Sequence, residues 1–280
     1  MTPALICPVC KEPLSRGGQA LVCENRHSYD IAAAGYCNLL RPGKLRNRAS
    51  GDDREMVAAR GKFLAAEYYR PVLDYIIKTV TGVGAGSLID AGCGEGYYTN
   101  GTALAVPELG VLGFDASKHA VAAAARGAKR SGAADRVHYI TASSADIPVA
   151  DDAADLVLSL FSPCQYGEFA RITKRGGHLL VGSAGVSHLS ELKAVLYGAD
   201  NVRPNAPIDH PAMAGEFGYI PVSRENVTFT ATIDGHDDID ALFSMTPYRW
   251  RTPKAGAEAL LRLDAITVTV DVDFTLLKLR

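Results

Sequence analysis

Between residues 87 and 183, short apolar runs alternate with segments in which apolar residues recur at helical spacing. The apolar runs predict buried strands, at 87–91, 111–114, 137–141, 155–160 and 178–183. The periodic segments predict helices, at 97–106, 117–130 and 166–173. Strands that alternate with helices are typical of βαβ units, so we predict an α/β fold built on a parallel sheet.

The flanking segments show weaker patterns. Helical spacing runs from Arg54 to about Val80 with an interruption at 68–71, and another helix is predicted up to Tyr197. Residues 200–225 are rich in proline and show little periodicity, which favours a lid or substrate loop. The last segments predict a strand, a short helix and two strands that close an antiparallel edge, at 227–233, 239–245, 265–271 and 273–279.

A glycine-rich turn follows the first buried strand. Asp90 ends the apolar run, and Gly92, Gly94 and Gly96 follow at alternate positions. Glycine lets the backbone approach a ligand and adopt conformations that a Cβ would resist. Asp115 ends the second apolar run, where its carboxylate can accept hydrogen bonds from both hydroxyls of a ribose. The pattern predicts a nucleoside pocket; the alternative is a purely structural strand–turn–helix.

Residues 1–40 are predicted to form a separate unit with four potential metal ligands. Cys7 and Cys10 make a C-x2-C pair, and Cys23 and His27 make a C-x3-H pair. Three thiolates and one imidazole suit a closed, tetrahedral structural zinc site. So short a segment has too little core to fold without such a staple. The alternative is a set of scattered free cysteines.

Two further sets of residues are candidates for substrate contact. The segment 41–62, interpreted as a linker, carries Arg46 and Arg48 among other basic residues. Arginine binds nucleic-acid phosphates with little regard to sequence, although a solvated connector would have the same composition. Tyr248 and Trp250 lie beside two arginines. They could stack on a flipped base, or they could be ordinary core aromatics.

Composition sets limits on partners and compartment. The chain has 280 residues and a formal charge of -2 at pH 7, which argues against a general polyanion binder but allows a local basic patch. No apolar run is long enough for a membrane span, and the first residues lack a signal-peptide pattern. We therefore expect a cytoplasmic protein with reduced thiols and no membrane partner. Cys37 lies outside the metal pattern and is predicted to be a packed side chain.

The chain resembles the bacterial 23S ribosomal RNA (guanine-N1) methyltransferases nearly end to end. The resemblance rests on the metal pattern, the glycine turn and four shorter motifs, at 35–40, 162–164, 188–189 and 245–250. It implies a Rossmann-like, seven-stranded class I methyltransferase domain at 63–280. It also implies a small zinc-ribbon-like domain for RNA recognition at 1–40, with the basic linker 41–62 between them.

The same resemblance implies the cofactors and the partners. S-adenosylmethionine would contact Tyr69, the turn Gly94-Glu95 and His188. Zinc would be held by the four ligands named above. The substrate would be a guanine in a hairpin of the large-subunit RNA, and a homodimer would bring two zinc modules to one RNA cleft. Some members of the family confer resistance to macrolides, so this function is a further expectation.

The expected reaction is methyl transfer from a sulfonium to guanine N1, aligned for in-line displacement. The residues do not identify the base that removes the N1 proton, whose surroundings should be the segments 161–164 and 245–251. Two other functions remain open from the sequence. One is a methyltransferase for an antibiotic or a quinone, and the other is a non-catalytic RNA-binding resistance factor that retains the cofactor.

Overall fold

The computed structural model describes residues 2–41 and 53–280. Its strands are β1 (Ser15–Gly17), β2 (Ala20–Val22), β3 (Ser28–Asp30), β4 (Tyr36–Asn38), β5 (Ser87–Ala91), β6 (Gly110–Asp115), β7 (Val137–Thr141), β8 (Ala154–Leu160), β9 (Thr173–Ala184), β10 (Tyr219–Asp234) and β11 (Ala265–Leu279). Its α-helices are α1 (Arg54–Ala65), α2 (Arg70–Gly82), α3 (Tyr97–Ala105), α4 (Lys118–Ser131), α5 (Tyr166–Ile172), α6 (Ser190–Tyr197), α7 (His210–Gly215), α8 (His236–Ser244) and α9 (Lys254–Leu261). Short 3₁₀ helices lie at Ala199–Asn201 and Pro247–Trp250.

The large sheet has the strand order β10-β11-β9-β8-β5-β6-β7-β4. Strands β4 to β9 pair in parallel, and β11 is antiparallel to both β9 and β10. The predicted α/β fold with five central parallel strands is therefore confirmed. From β5 the chain first adds β6 and β7 on one side and then β8 and β9 on the other. This reversal makes the carboxyl end of β5 the switch point, where ligands bind in open α/β sheets.

Apolar residues of the strands point alternately to the two faces of the sheet, as the period of a strand requires. In β5, Leu88 packs into the core beneath α1, α2, α3 and α4, whereas Ile89 packs into the core beneath α5. All five residues of β5 are buried, because helices cover both faces. No helix in the described ranges is long and apolar enough to cross a membrane.

The C-terminal segment differs from the prediction. Residues 265–279 form one strand rather than two, and Val272 pairs with Ala184 on one side and Val227 on the other. The sequence predicted a break at Val272, which has an acidic residue on each side. Asp271 nevertheless lies within the strand, where its carboxylate accepts hydrogen bonds from Asn226 and from the amide of Ser187. β11 therefore lies inside the sheet, and β10 forms the edge.

The prediction of a lid or loop at 200–225 was partly wrong, because this segment contains α7 and the start of β10. His210 of α7 is buried. Its ring nitrogens lie 2.6 Å from the Tyr166 hydroxyl and 3.1 Å from the Ser183 hydroxyl. These hydrogen bonds hold the segment on α5 and β9.

The segment between the two predicted domains is helical from Arg54, where α1 begins. The carboxylate of Asp53 caps this helix by accepting a hydrogen bond from the amide of Met56 at 2.8 Å. Arg46 and Arg48 lie in the part of the chain outside the described residues. The domain boundaries at 40 and 62 remain predictions.

The N-terminal unit, here called the zinc module (residues 2–41), is joined to the large sheet rather than separate from it. Its last strand, β4, pairs in parallel with β7, and Cys37 of β4 is buried there as predicted. Lys11 forms an ion pair of 2.8 Å with Asp146, in the turn after β7. Lys129 of α4 donates to the carbonyl of Ala33 at 2.8 Å. The module thus packs against both α4 and the turn after β7.

Candidate functional site

The zinc module brings its four predicted ligands together. Their ligand atoms all lie within 4.8 Å of one another, and the four residues are Cys7, Cys10, Cys23 and His27. The sulfurs of Cys10 and Cys23 are 3.6 Å apart, and the sulfur of Cys23 is 3.4 Å from Nδ1 of His27. These separations match the edges of a tetrahedron around a zinc ion with bonds of about 2.1–2.3 Å.

Two tight turns present the ligands. Lys11 and Arg26 have positive φ angles of 65° and 62°. The amide of Lys11 donates to the carbonyl of Cys7, and that of Arg26 donates to the carbonyl of Cys23. Each turn therefore bends the chain back beside its ligand pair. A left-handed backbone conformation is energetically unfavourable for residues other than glycine. At Lys11 and Arg26 this conformation forms the turns that place the ligands.

The surroundings of Cys7 suit a thiolate. Burial raises the pKa of Cys7, but the hydroxyl of Tyr29 at 3.1 Å and the backbone amides of Cys10 and Val9 more than offset this and lower it. Hydrogen bonds to a charged sulfur stabilise the deprotonated form, which is the form that binds metal. The donor set, its spacing and its hydrogen bonds therefore fit zinc. All four positions are taken by protein ligands, which makes the site structural.

The glycine turn lies at the carboxyl end of β5. Gly92, Gly94 and Gly96 all have positive φ angles, of 86°, 55° and 86°. A Cβ on Gly92 would collide with the side chain of Ser162, and one on Gly96 would lie 2.7 Å from the Cβ of Ala124. These two glycines are needed for packing as well as for the turn. At Gly94, the one described atom within 4 Å of an added Cβ would belong to the Arg60 guanidinium, at 3.7 Å.

Asp115 connects the ends of β5 and β6. One carboxylate oxygen accepts from the amide of Gly94 at 3.2 Å and the other from the amide of Ser117 at 2.7 Å. These bonds orient the carboxylate at the carboxyl edge of the sheet. The ribose contact predicted for Asp115 stays a prediction.

Asp90 is buried beneath the turn. Its carboxylate accepts from the hydroxyl of Thr99 at 2.5 Å, which ties β5 to α3. Burial raises the pKa of Asp90 to about 7, and the nearby charges of Asp115 and Glu95 add to that rise. Desolvation disfavours the charged form of a carboxyl group, so Asp90 does not carry a full negative charge near neutral pH. Its role beneath the turn is structural, through the hydrogen bond with Thr99.

Tyr69 and His188, for which the resemblance implies cofactor contacts, lie next to each other. The hydroxyl of Tyr69 is 3.4 Å from Nε2 of His188, and Nδ1 of His188 accepts from the amide of Asp271 at 3.2 Å. We therefore assign the ring proton to Nε2. Burial lowers the pKa of His188 to about 4, so the ring is neutral at pH 7.

Sequence reasoning placed the 161–164 loop near the site but did not single out Phe161. This residue follows β8, has a φ angle of 52° and keeps 45% of its surface exposed. Its ring lies 5.4 Å from that of His188. A strained, exposed aromatic residue at the carboxyl edge indicates a functional position. Only its position after a buried strand could have suggested it.

Arg60 was also missed, because it falls in the segment interpreted as a linker. Its guanidinium donates to the carbonyl of Met245 at 3.2 Å and lies beside Gly94. Arg60 therefore connects α1 and the segment after α8 to the glycine turn. A helical pattern alone does not show which face of α1 meets the turn.

The aromatic candidates follow directly after Met245, in the short helix Pro247–Trp250. Trp250 is 65% exposed, and the Arg249 guanidinium lies 5.4 Å from its ring centroid. Tyr248 is half-buried and packs edge-on against Tyr197. The core interpretation therefore fits Tyr248 but not Trp250.

A glycine turn at the switch point of a parallel sheet is typical of the class I methyltransferase fold, and the four-ligand cluster is typical of a zinc ribbon. Known proteins agree: residues 5–44 match the zinc-ribbon family described as "RlmA, N-terminal", and residues 84–212 match a methyltransferase domain family. The chain belongs to the family of 23S rRNA (guanine-N1) methyltransferases, because curated relatives of that name match nearly its whole length.

One relative is the 23S rRNA (guanine(748)-N(1))-methyltransferase of Streptomyces fradiae, 34% identical over 97% of this chain and 95% of the relative. Another, from Micromonospora griseorubida, is described as a 23S rRNA (guanine-N(1)-)-methyltransferase and is 31% identical over 97% and 96%. The predicted family, enzyme class and cofactors, S-adenosylmethionine and zinc, are confirmed.

Solved structures show the fold alone. The YcgJ protein of Bacillus subtilis has a TM-score of 0.51 at 19% identity and covers 74% of this chain, with 97% of its own length aligned. The [4+2]-cyclase SpnF has a TM-score of 0.50 at 17% identity, covering 73% of this chain and 80% of its own. Since a cyclase shares the fold, the architecture does not by itself define the reaction.

Proposed function

We propose that this protein transfers the methyl group of S-adenosylmethionine to N1 of a guanine in a hairpin of 23S ribosomal RNA. The observation that carries this proposal is the similarity to rRNA guanine-N1 methyltransferases over 97% of the chain. The intact four-ligand cluster and glycine turn support it, because they supply an RNA-recognition module and a cofactor pocket in one chain.

In this proposal, the carboxyl edge of the sheet orients the cofactor. When bound, S-adenosylmethionine supplies a methyl group already activated on a sulfonium. Asp115 would accept hydrogen bonds from the ribose hydroxyls, and the backbone at Gly94 and Glu95 would contact the cofactor. Tyr69 and neutral His188, which lie side by side, would form a further part of the pocket. Fixing these groups in advance aligns the methyl group for in-line attack without reorganisation.

The acceptor base would enter beside Phe161 and Trp250. Guanine N1 is hidden in a paired or stacked base, so the base must be extruded at a cost of a few kcal/mol. The exposed indole of Trp250 supports a stacking role, because stacking is worth about 1–3 kcal/mol per base. Phe161, directly after β8, offers a second exposed ring.

Replacing Trp250 tests this part of the proposal. Trp250→Ala should raise the KM for RNA about ten-fold, in line with the loss of about 1.4 kcal/mol of stacking. Its affinity for S-adenosylmethionine, measured by calorimetry, should stay within two-fold of the original. The control is Leu261→Ala, which changes an exposed apolar residue on α9. A loss of cofactor affinity, or an unchanged KM, would contradict the stacking role.

Further parts of the proposal concern RNA recognition and biology. The zinc module, with Arg46 and Arg48, contacts the RNA hairpin, and two copies of the chain form one RNA cleft. The enzyme acts in the cytoplasm, and its modification protects the ribosome from macrolides. Equilibrium sedimentation tests the dimer, and drug sensitivity of cells with and without the gene tests the resistance.

The main experiment uses tritium-labelled S-adenosylmethionine with a 23S rRNA transcript. We expect label in the RNA and a reverse-transcription stop at one guanine, since a methyl group at N1 blocks base pairing. The same stop should be absent from RNA treated with the Asp115→Ala variant. Tritium transfer to small aromatic acceptors but not to RNA would show instead that the enzyme modifies a small molecule.

A further inference from the structure

A groove with a volume of about 1130 Å³ opens between helices α1, α2, α3 and α4. One end reaches the glycine turn at Glu95 and Gly96. Asp115, His188 and Phe161 are not among the residues that line this groove, so the proposed cofactor and acceptor contacts do not account for it. The arginines of its lining are Arg54, Arg70, Arg126 and Arg130. We call this surface the arginine groove.

Helix α4 gives the groove its charge. Its sequence from Lys118 to Ser131 contains four lysines and arginines, one histidine and no acidic residue. Arg126 and Arg130 are exposed, one helical turn apart, and neither forms an ion pair with a described residue. By contrast, Arg70 pairs with Glu67 and Asp74. Two arginines on α4 are therefore available for an external anion.

Small residues make up much of the lining of the groove: Ala58, Gly61, Ala65, Gly96, Gly101, Ala105, Ala122, Ala123, Gly127 and Ser131. Beside them, a ligand backbone can come close to the helices and within reach of Arg126 and Arg130, which are exposed. Arginine suits phosphate because its planar guanidinium makes two parallel hydrogen bonds.

The groove lies along α4, a helix that contacts the zinc module, and it also reaches the glycine turn. Helix α4 contacts the zinc module through Lys129, which donates to the carbonyl of Ala33, and through Ala125, which lies near Gly35. The adjacent face of α4, which carries Arg126 and Arg130, lines the groove. An RNA strand that leaves the zinc module could therefore follow α4 and end at the glycine turn.

We propose that the arginine groove binds the phosphodiester backbone of the RNA substrate outside the hairpin that carries the target guanine. This proposal rests on ribosomal RNA being the substrate. Charge complementarity favours RNA over a protein partner, because among the described residues of the lining the acids are Glu67, which is paired with Arg70, and Glu95 in the glycine turn. The contacts are to phosphate, so they add affinity but no sequence preference.

The test is RNA binding by a double variant, Arg126→Gln with Arg130→Gln, at several salt concentrations. The matched control is Arg175→Gln with Arg262→Gln, which removes the same charge from exposed positions outside the groove. We expect the groove variant to bind a 23S rRNA transcript at least ten-fold more weakly than the control at 150 mM salt. The slope of log affinity against log salt should fall by about 1.5, since each phosphate contact contributes about 0.7–0.9.

Other measurements separate this proposal from the proposed function. The groove variant should keep one zinc per chain, its S-adenosylmethionine affinity and its kcat at saturating RNA. Equal affinities and salt slopes for the groove and control variants, with RNA still methylated, would overturn the groove proposal alone. If the original protein does not methylate RNA, the proposed function fails. A second variant, Ala123→Glu, places a negative charge in the lining of the groove and should also weaken RNA binding. Unchanged binding would overturn the groove proposal.

Discussion

The zinc module and the methyltransferase domain are stabilised in different ways. Strand β1 of the module is exposed along its whole length, and β2 is only half-buried, whereas every residue of β5 is buried. The module is held by four ligand atoms and by a few apolar residues, such as Cys37 and Leu39, that join one core, while the domain distributes its stability over two apolar cores. Local damage should therefore abolish order in the module but cost the domain only a few kcal/mol.

The largest expected effect is loss of the metal. Cys23→Ser should remove zinc, because a structural site with an apparent binding free energy of about 10–16 kcal/mol loses one of four ligands. Elemental analysis should fall from one zinc per chain to none, and RNA methylation should drop at least 100-fold. S-adenosylmethionine affinity should change less than three-fold, since β5 and β6 build that pocket.

The matched control for the metal is Cys37→Ala, a cysteine of the same module outside the ligand set. This variant should keep one zinc per chain. If Cys23→Ser also abolished cofactor binding, the module and the domain would be one cooperative unit and the contrast between them would fail.

The next effect concerns packing in the domain. Gly96→Ala should lower the free energy of unfolding by roughly 3 kcal/mol, from left-handed strain and overlap with Ala124 and the hydroxyl of Tyr139. Gly132→Ala is the matched control, because Gly132 also has a positive φ but no atom within 4 Å of the added Cβ. It should cost only about 1 kcal/mol. Urea unfolding measures both, and equal losses would show that crowding at Gly96 is unimportant.

A pH effect of similar size should come from His188. Its pKa is 6.5 in an unfolded chain and about 4 in the fold, so the unfolded state binds more protons between these values. Its contribution to stability is complete above pH 6.5 and is lost as the pH falls to 4, by about 3 kcal/mol. Unfolding of the original chain and of His188→Gln should therefore diverge over this range. Parallel pH profiles would mean that His188 is solvated.

The smallest effect concerns the cofactor. Asp115→Ala should weaken S-adenosylmethionine binding at least ten-fold in calorimetry, or about 1.4 kcal/mol, through lost bonds to the ribose. The exposed Asp135→Ala should have no effect and controls for charge. Unchanged affinity for both variants would place the ribose elsewhere.

The same contrast explains what the sequence could predict. The metal ligands and the glycine turn were found because their spacing is local, as were the buried runs such as 155–160. The participation of β4 in the large sheet was not, since a strand of three residues has no measurable period. Arg60 and Phe161 depend on which helix face or loop meets the turn, which is a tertiary property. The break predicted at 272 failed because partners of Asp271 lie on β10 and in the loop after β9.

The parallel pairing of β4 with β7 has a consequence for handling the protein. A chain shortened by its first 40 residues would leave β7 as a bare outer strand, with unpaired amides and carbonyls facing water. Exposed edge strands pair with strands of neighbouring molecules and promote aggregation. By covering this edge of the large sheet, the zinc module should therefore also protect it from self-association.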